Sequence, residues 1–421
     1  MSDWKTYTIA ELAAPGKNSL ATGPFGSAIS SRYFLDTGVP VIRGANLSLD
    51  VGTRLSDGEV VFISAEKANA FQRSMVAGGD LVFTCWGSIG QVGLISNRAR
   101  YDRYIVSNKQ MKLSLDKGLA DPLFMYYAMS SPAMVSRVQG AAIGSSVPGF
   151  NLTQLRAITL SLPPLCEQQA IAEVLGALDD KIALNEQACA ASLELADCYS
   201  QVANQGSNEG TVVTVAQLAA GGQLEFGDGY RTKRAEHGQP GLPILRVAEI
   251  ADGEIHPAFS DYVSDEYRPA MGKKTSRSGD VVLTTKGTVG RVALISADHP
   301  EFVYSPQVCY FRPGAVSRLS SVYLFHWMRG PEFWRQAAGM KGQTDMADYL
   351  SLGDIKSLRI TLLSEAALAE FTSKCAPLHA QAAAVRNENR TLADLRDTLL
   401  PQLLSGKLRV KDAVRTVEEV V

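Results

Sequence analysis

"GDLVFTCWGSIGQVGLIS" at residues 79–96 returns two hundred residues later as "GDVVLTTKGTVGRVALIS" at 279–296. Gly, Asp, Val, Thr, Gly, Gly, Val, Leu, Ile and Ser recur in register, ten identities in eighteen positions without a gap. In each copy two β-favouring runs flank a segment with two glycines, the pattern of a hairpin or tight loop. Inside the repeated frame Trp86 changes to Lys286 and Gln91 to Arg291.

The duplication extends outward. "VPVIRGANL" (39–47) resembles "LPILRVAEI" (242–250), and "LTQLRAITL" (152–160) matches the apolar positions of "LGDIKSLRI" (352–360). "DPLFMYYAMSSP" (121–132) and "SSVYLFHWMRGP" (320–331) share the pattern of a helix that ends at proline. A period near 200 exceeds any solenoid repeat and signals a duplicated domain plus linker. Each copy reads as an α+β domain, mostly β, with one or two short helices.

A different texture follows each copy. After Pro163-Pro164 the chain is rich in helix formers, with Ile171, Leu175, Leu178 and Ile182 stepping by three and four. The second series runs Leu368, Phe371, Cys375, Leu378, Ala382, Val385, Asn389, Leu392, Arg396, Leu399 and Leu403. Both have coiled-coil spacing, and Ile171, Leu175, Leu178, Ile182, Leu378, Val385, Leu392 and Leu399 are the seam candidates. Asn185 and Asn389 are polar seam residues of the kind that set register. Pro377 lacks a backbone donor and predicts a kink or break near the start of the second helix. Helices of roughly 35–40 residues span about 55 Å. The simplest arrangement pairs them antiparallel, holding two β-rich domains apart in near two-fold symmetry. The expected division is 1–162 and 206–363 for the domains, 163–205 and 364–408 for the helices, and 409–421 for a C-terminal tail.

Length and composition agree. A chain of 421 residues with 46% hydrophobic content has material for two to four domains. No apolar run of about 20 residues predicts a membrane span, and the N-terminal segment lacks an apolar signal core, which predicts a cytoplasmic protein. Six cysteines are scattered without a CxxC pair, against a disulfide framework or a zinc cluster. The net charge of −2 hides a distribution. Residues 1–162 hold 15 Lys/Arg against 11 Asp/Glu, and 163–205 hold one Lys against seven acids. An acidic helix therefore masks a basic first domain, and local patches decide whether a surface attracts phosphate.

Enzyme signatures are missing. The sequence has no GxxxxGK[ST] loop, HExxH or GxSxG. "LPPL" (162–165) lacks the amide or acid and the aromatic of an amino-methyltransferase motif. "EFGDGY" (225–230) reads as a glycine-rich turn, and the five histidines fall at no ligand-like spacing. No catalytic residue and no metal ligand is expected in this chain.

The motifs "TGPFGSAI" (22–29), "VPVIRGANL", "GDLVFTCWGSIGQVGLI", "NLTQLRAITLSLPPLCEQQAIAEVL" (151–175) and "LLPQLLSGKLRV" (399–410) resemble those of Type I restriction–modification specificity subunits. The resemblance covers nearly the whole chain. In the second half "FGDGY" stands for "GPFGS" and "SEAALAEF" for "CEQQAIAEV". The resemblance implies two target-recognition domains, each reading half of a split, asymmetric DNA sequence. It further implies helices that act as a ruler and dock two adenine-N6 methyltransferase subunits, with restriction subunits added. S-adenosylmethionine, ATP and magnesium would then belong to the partner subunits, and none to this chain.

DNA readers are sought among side chains that reach bases and phosphates. In the first domain these are Ser27, Arg32, Tyr33, Arg43, Asn46, Trp86, Ser88 and Lys109. In the second they are Tyr230, Arg231, Lys233, Arg234, Arg246, Glu249, Lys286, Thr288, Arg291, Lys341 and Gln343. The pairs Arg43/Arg246, Asn46/Glu249 and Trp86/Lys286 carry most weight. Each has a structural alternative: a solvated charge, a half-buried anchor for Trp86, an ion pair for the arginines. A different class of function, a coiled-coil adaptor presenting two β-rich modules to proteins or glycans, fits the same pattern.

Overall fold

The computed structural model describes residues 4–144, 148–205, 210–251, 253–256, 259–314, 317–340, 342–343 and 348–420. It contains two compact units, Met1–Leu184 with Glu388–Val421, and Asn185–Asn387.

In the first unit Leu81–Thr84 pairs antiparallel with Val92–Leu94, as the repeated stretch predicts. Its other edge pairs with Gln110–Leu113, which in turn takes Leu20–Thr22. Both faces of this four-stranded sheet are covered, which explains an unbroken apolar run in place of alternation. Leu81 and Phe83 join a cluster with Met111, Leu113, Phe124 and Met125. Val82, one residue out of phase, packs with Ile42, Tyr104 and Val106 on the other side. A second sheet places Val39–Ile42 between Val61–Ile63, antiparallel, and Arg103–Val106, parallel, with Met75–Ala77 at the far edge. Lys5–Thr8 pairs with Thr159–Leu162 and closes the domain.

The second unit repeats this plan. Its four-stranded sheet runs Leu224–Asp228, Val308–Pro313, Val281–Thr284, Val292–Leu294. Val281 and Leu283 face one cluster and Val282 the other. Gly241–Leu245 lies between Tyr262–Ser264 and Val303–Tyr304, and Thr211–Thr214 pairs with Arg359–Leu362.

The repeated Gly-Asp has a structural cause. Gly79 and Gly279 turn at φ +94 and +87, where a side chain is strained. Asp80 then accepts the Ala77 amide at 3.0 Å, and Asp280 the Arg277 amide at 2.9 Å. Asp280, fully buried, also accepts Arg312 Nε at 2.7 Å and the Tyr304 hydroxyl at 2.5 Å.

Two long helices follow, Leu165–Gln205 and Glu365–Leu404, of 41 and 40 residues. Each compact unit holds half of each helix. In the first unit Ile171, Leu175 and Leu178 are buried, Ile182 is half-buried, and Leu392 and Leu399 join the same cluster. Arg396 Nη1 donates to Asp179 Oδ1 at 2.9 Å, and Lys181 meets Glu388 at 3.3 Å. In the second unit Cys189 Sγ lies 3.6 Å from the Ala382 carbonyl, Cys375 is buried beside Ala196, and Leu378 and Val385 are half-buried. Contacts that ascend along one helix descend along the other, so the helices are antiparallel. The expected α+β class, with β-rich domains and long antiparallel helices, is borne out.

One expectation is corrected. Pro377 does not break the second helix, which runs unbroken through it. Phe371 and Cys375, six and two residues earlier, are buried in the second domain's core. That packing offsets the lost hydrogen bond, a cost of about 3 kcal/mol in an isolated helix interior. The expected tail is largely helical, over Val410–Val420, with Ala413 buried in the first domain's core.

Candidate nucleic-acid interface

Three loops of the first domain converge. The hairpin turn after Leu81–Thr84 is shaped by Gly87 and Gly90 at φ +89 and +96. Its outer side is held by the Phe150 amide, which donates to the Cys85 carbonyl at 2.9 Å, and by the Gly87 amide to Pro148. Trp86 lies against Gly149, where a Cβ would come within 2.7 Å of the indole ring. The ring is thus seated on one face and 51% exposed. The Cys85 amide donates to the Lys109 carbonyl, which brings the 107–110 turn alongside. The Ser107 amide donates to the Ile42 carbonyl, which adds the end of Val39–Ile42 and with it Arg43. A groove of about 470 Å³ results, lined by Arg43, Trp86, Ser88 and Lys109 together with Phe34, Asn108 and Gln110.

The segment before the groove is tied to it. The Asn108 side-chain amide donates to the Gly26 carbonyl at 3.0 Å, and Ile29 and Phe34 line the groove itself. Ser27 and Arg32 are exposed on this segment, and Arg32 and Lys67 both lie over the Tyr33 ring. Phe25 is 77% exposed with Arg73 above its ring at 5.7 Å.

Three of the expected readers have other work. Asn46 is buried: its Oδ1 accepts the Arg43 amide at 2.9 Å and its Nδ2 donates to the Ser56 carbonyl at 2.8 Å. Glu249, also buried, accepts the Arg246 amide at 2.8 Å. Both side chains cap the turn after the arginine, so the paired position Asn46/Glu249 is corrected from base reader to turn anchor. Arg291 Nη1 donates to the Val247 and Ile250 carbonyls at 3.2 and 2.9 Å. Gln91 Nε2 does the same for Leu47, the counterpart of Ile250, at 2.8 Å. The Gln91/Arg291 difference therefore serves one scaffold role in two chemistries.

In the second domain Arg231, Lys233 and Arg234 are exposed, and Tyr230 is half-buried against Leu242 and Val263. Buried Glu236 accepts the Lys233 amide at 3.1 Å and fixes the turn that displays these cations. Lys286 and Thr288 are exposed at the hairpin turn, and Lys286 bridges to Tyr349 by backbone. Arg246 pairs with Asp261 at 2.7 Å. Lys341 lies outside the described residues. Gln343 sits in a two-residue strand opposite Asp348, and its side chain is outside the description too.

Residues 1–194 match the family model for the Type I restriction modification DNA specificity domain. Two curated relatives extend the similarity, both from Methanocaldococcus jannaschii. The Type I restriction enzyme MjaVIII specificity subunit is 20% identical over 73% of this chain and 75% of its own length. The MjaIX specificity subunit is 21% identical over 85% of this chain and 86% of its own. The first 194 residues thus carry the likeness to the Type I specificity domain, and the two curated relatives extend a similarity over most of the chain. In fold it is similar to the crystal structure of the S subunit from M. genitalium, with a TM-score of 0.53 and 15% identity. That likeness covers 95% of this chain and 96% of the other.

The groove is the candidate nucleic-acid interface of the first domain. The sequence reading missed Phe25, Asn108 and Gln110. "SNKQ" (107–110) carries a signal when set against "SPQV" (305–308): both serines donate to the strand that ends at the paired arginine. Lys109 then aligns with Gln307, since each carbonyl accepts the amide of the hairpin residue before Trp86 or Lys286.

Proposed function

We propose that the chain reads a bipartite, asymmetric DNA target, one half-site per domain. Adenine-N6 methyltransferase subunits dock on its long helices, joined by restriction subunits, in the cytoplasm. The observation that carries this reading is one set of loops built twice with different reaching side chains. Trp86 becomes Lys286, Ser88 becomes Thr288 and Lys109 becomes Gln307 on equivalent backbone. Two copies free to diverge read two unlike half-sites, where a symmetric dimer reads two alike. The helices, each about 60 Å at 1.5 Å per residue, set the half-site spacing. The chain itself takes no chemical step; S-adenosylmethionine, ATP and magnesium serve the partner subunits.

Sequencing of modified bases in the host, with and without this gene, tests the reading. One split adenine-methylated motif disappears on deletion; an unchanged methylome in a strain that expresses the locus overturns it. Charge reversal at Arg231 and Lys286 together abolishes protection of the motif, whereas an adaptor for proteins or glycans keeps its partners after that change.

A further inference from the structure

Arg43 and Arg246 close equivalent strands, yet their surroundings differ at one register position. Val39–Ile42 pairs with Val61–Ile63 so that Val41 faces Val61. In the other domain the Ile244 amide donates to the Asp261 carbonyl at 2.9 Å, which puts Asp261 where the first domain has Val61. Asp261 Oδ2 holds Arg246 Nη2 at 2.7 Å. Among the described residues no carboxylate pairs with Arg43; its guanidinium lies 5.6 Å from the Phe34 ring and lines the groove. Nε is buried without a hydrogen-bond partner in both arginines, so the carboxylate on Nη2 is what sets Arg246 apart.

A second unsatisfied donor lies in the same groove. Gln110 is fully buried, its Oε1 accepts the Ser107 hydroxyl, and its Nε2 has no partner. Its counterpart in the second domain is Val308, which carries no donor. Buried donors left unpaired cost free energy until an acceptor arrives. The first groove therefore presents an unneutralised guanidinium and a spare amide N–H₂, with Trp86 as one wall.

We propose that Arg43, supported by Gln110, reads the acceptor edge of a guanine in the first half-site, and that Asp261 withholds Arg246 from the same task in the second. Guanine offers O6 and N7 as paired acceptors that match the fork of arginine. Exposed Lys109 stands at the same groove for the phosphate backbone. The assignment rests on the half-site reading above. Its content is that a single position, Val61 against Asp261, decides whether the paired arginine is a reader.

The test selects duplexes from a random-sequence pool with the full chain in complex with its methyltransferase subunits, followed by sequencing. Wild type returns a split consensus with a guanine in one half. Arg43→Gln lowers the preference for that guanine about tenfold or more, the range of one bidentate contact, and leaves the other half-site unchanged. Val61→Asp has the same effect by neutralising Arg43, whereas Val61→Asn, polar but uncharged, keeps the guanine. Asp261→Asn sharpens a guanine preference in the second half-site. A uniform loss of binding in Arg43→Gln with an intact consensus assigns Arg43 to phosphate and overturns the proposal. An unchanged consensus in both Arg43→Gln and Val61→Asp also overturns it. A wild-type complex that selects no sequence overturns the half-site reading, and this assignment with it.

Discussion

Asp280 shows how a repeated residue earns its place by structure. It sits in the motif that reveals the duplication, and the sequence marks it only as shared. The structure surrounds it with the Arg277 amide, Arg312 and Tyr304 in a fully buried site. Asp280→Ala leaves the 11% exposed Arg312 guanidinium without its main partner. Removing one partner of a buried pair costs about 3–5 kcal/mol, so denaturant unfolding of the variant shows a loss of that size. Gly290 makes the same point by sterics. It stands at φ +107, and a Cβ there would lie 1.9 Å from the Trp334 ring. Gly290→Ala is expected to destabilise the second domain by more than the strain of its backbone alone, about 1–3 kcal/mol, as read by thermal melting. The readers proved harder to see than the frame. Asn46 and Arg291 have side chains of the right type for bases, and both are spent on backbone groups. Residue type alone does not tell a free donor from a committed one.

At the scale of elements, each long helix enters a domain through a buried polar cluster. In the first unit Asp179 accepts Arg396, with Arg54 and the Tyr127 hydroxyl beside it. In the second, His326 bridges Asp197 and His379, at 2.6 and 2.7 Å, and Arg329 donates to Asp197 at 3.0 Å. Tyr127 and His326 occupy matching places in the two short helices that end at proline. Burial first, and the neighbouring His326 second, lower the His379 pKa from 6.5 to about 4. A base depressed in the folded state binds its proton in the unfolded chain first. The His379 contribution to stability is therefore complete above about pH 6.5 and is lost as pH falls towards 4. Melting temperatures measured between pH 7.5 and 4.5 are expected to drop for the second unit. His379→Gln flattens that slope. Helical periodicity was legible in the sequence, and so was the hairpin. The survival of the helix through Pro377 was not, because it depends on a core contributed by residues far along the chain.

At the scale of the whole molecule, spacing and affinity are the testable quantities. A matched insertion of four residues in both helices, after Ala188 and near Ala383, adds about 6 Å of helix. That length corresponds to about two base pairs of duplex at 3.4 Å each. The methylated motif is expected to gain spacer bases with both half-sites unchanged, as read by modified-base sequencing. The near-neutral total charge conceals cations displayed on turns, Arg32 and Lys109 in one domain and Arg231, Lys233, Arg234 and Lys286 in the other. Affinity for the target duplex is expected to fall steeply and log-linearly with salt, because each phosphate contact releases a counterion. A titration across salt concentrations gives the number of such contacts.

The sequence by itself determined the duplication, the α+β class and the two long helices. These follow from local periodicity and from repeated residues, which any aligned pair of segments displays. Only the tertiary structure decided which polar side chains are free. The Val61/Asp261 difference is silent in the sequence, since it acts on an arginine across a strand pair rather than along the chain. Whether a donor reaches outward or is consumed by a neighbouring carbonyl depends on contacts between distant segments.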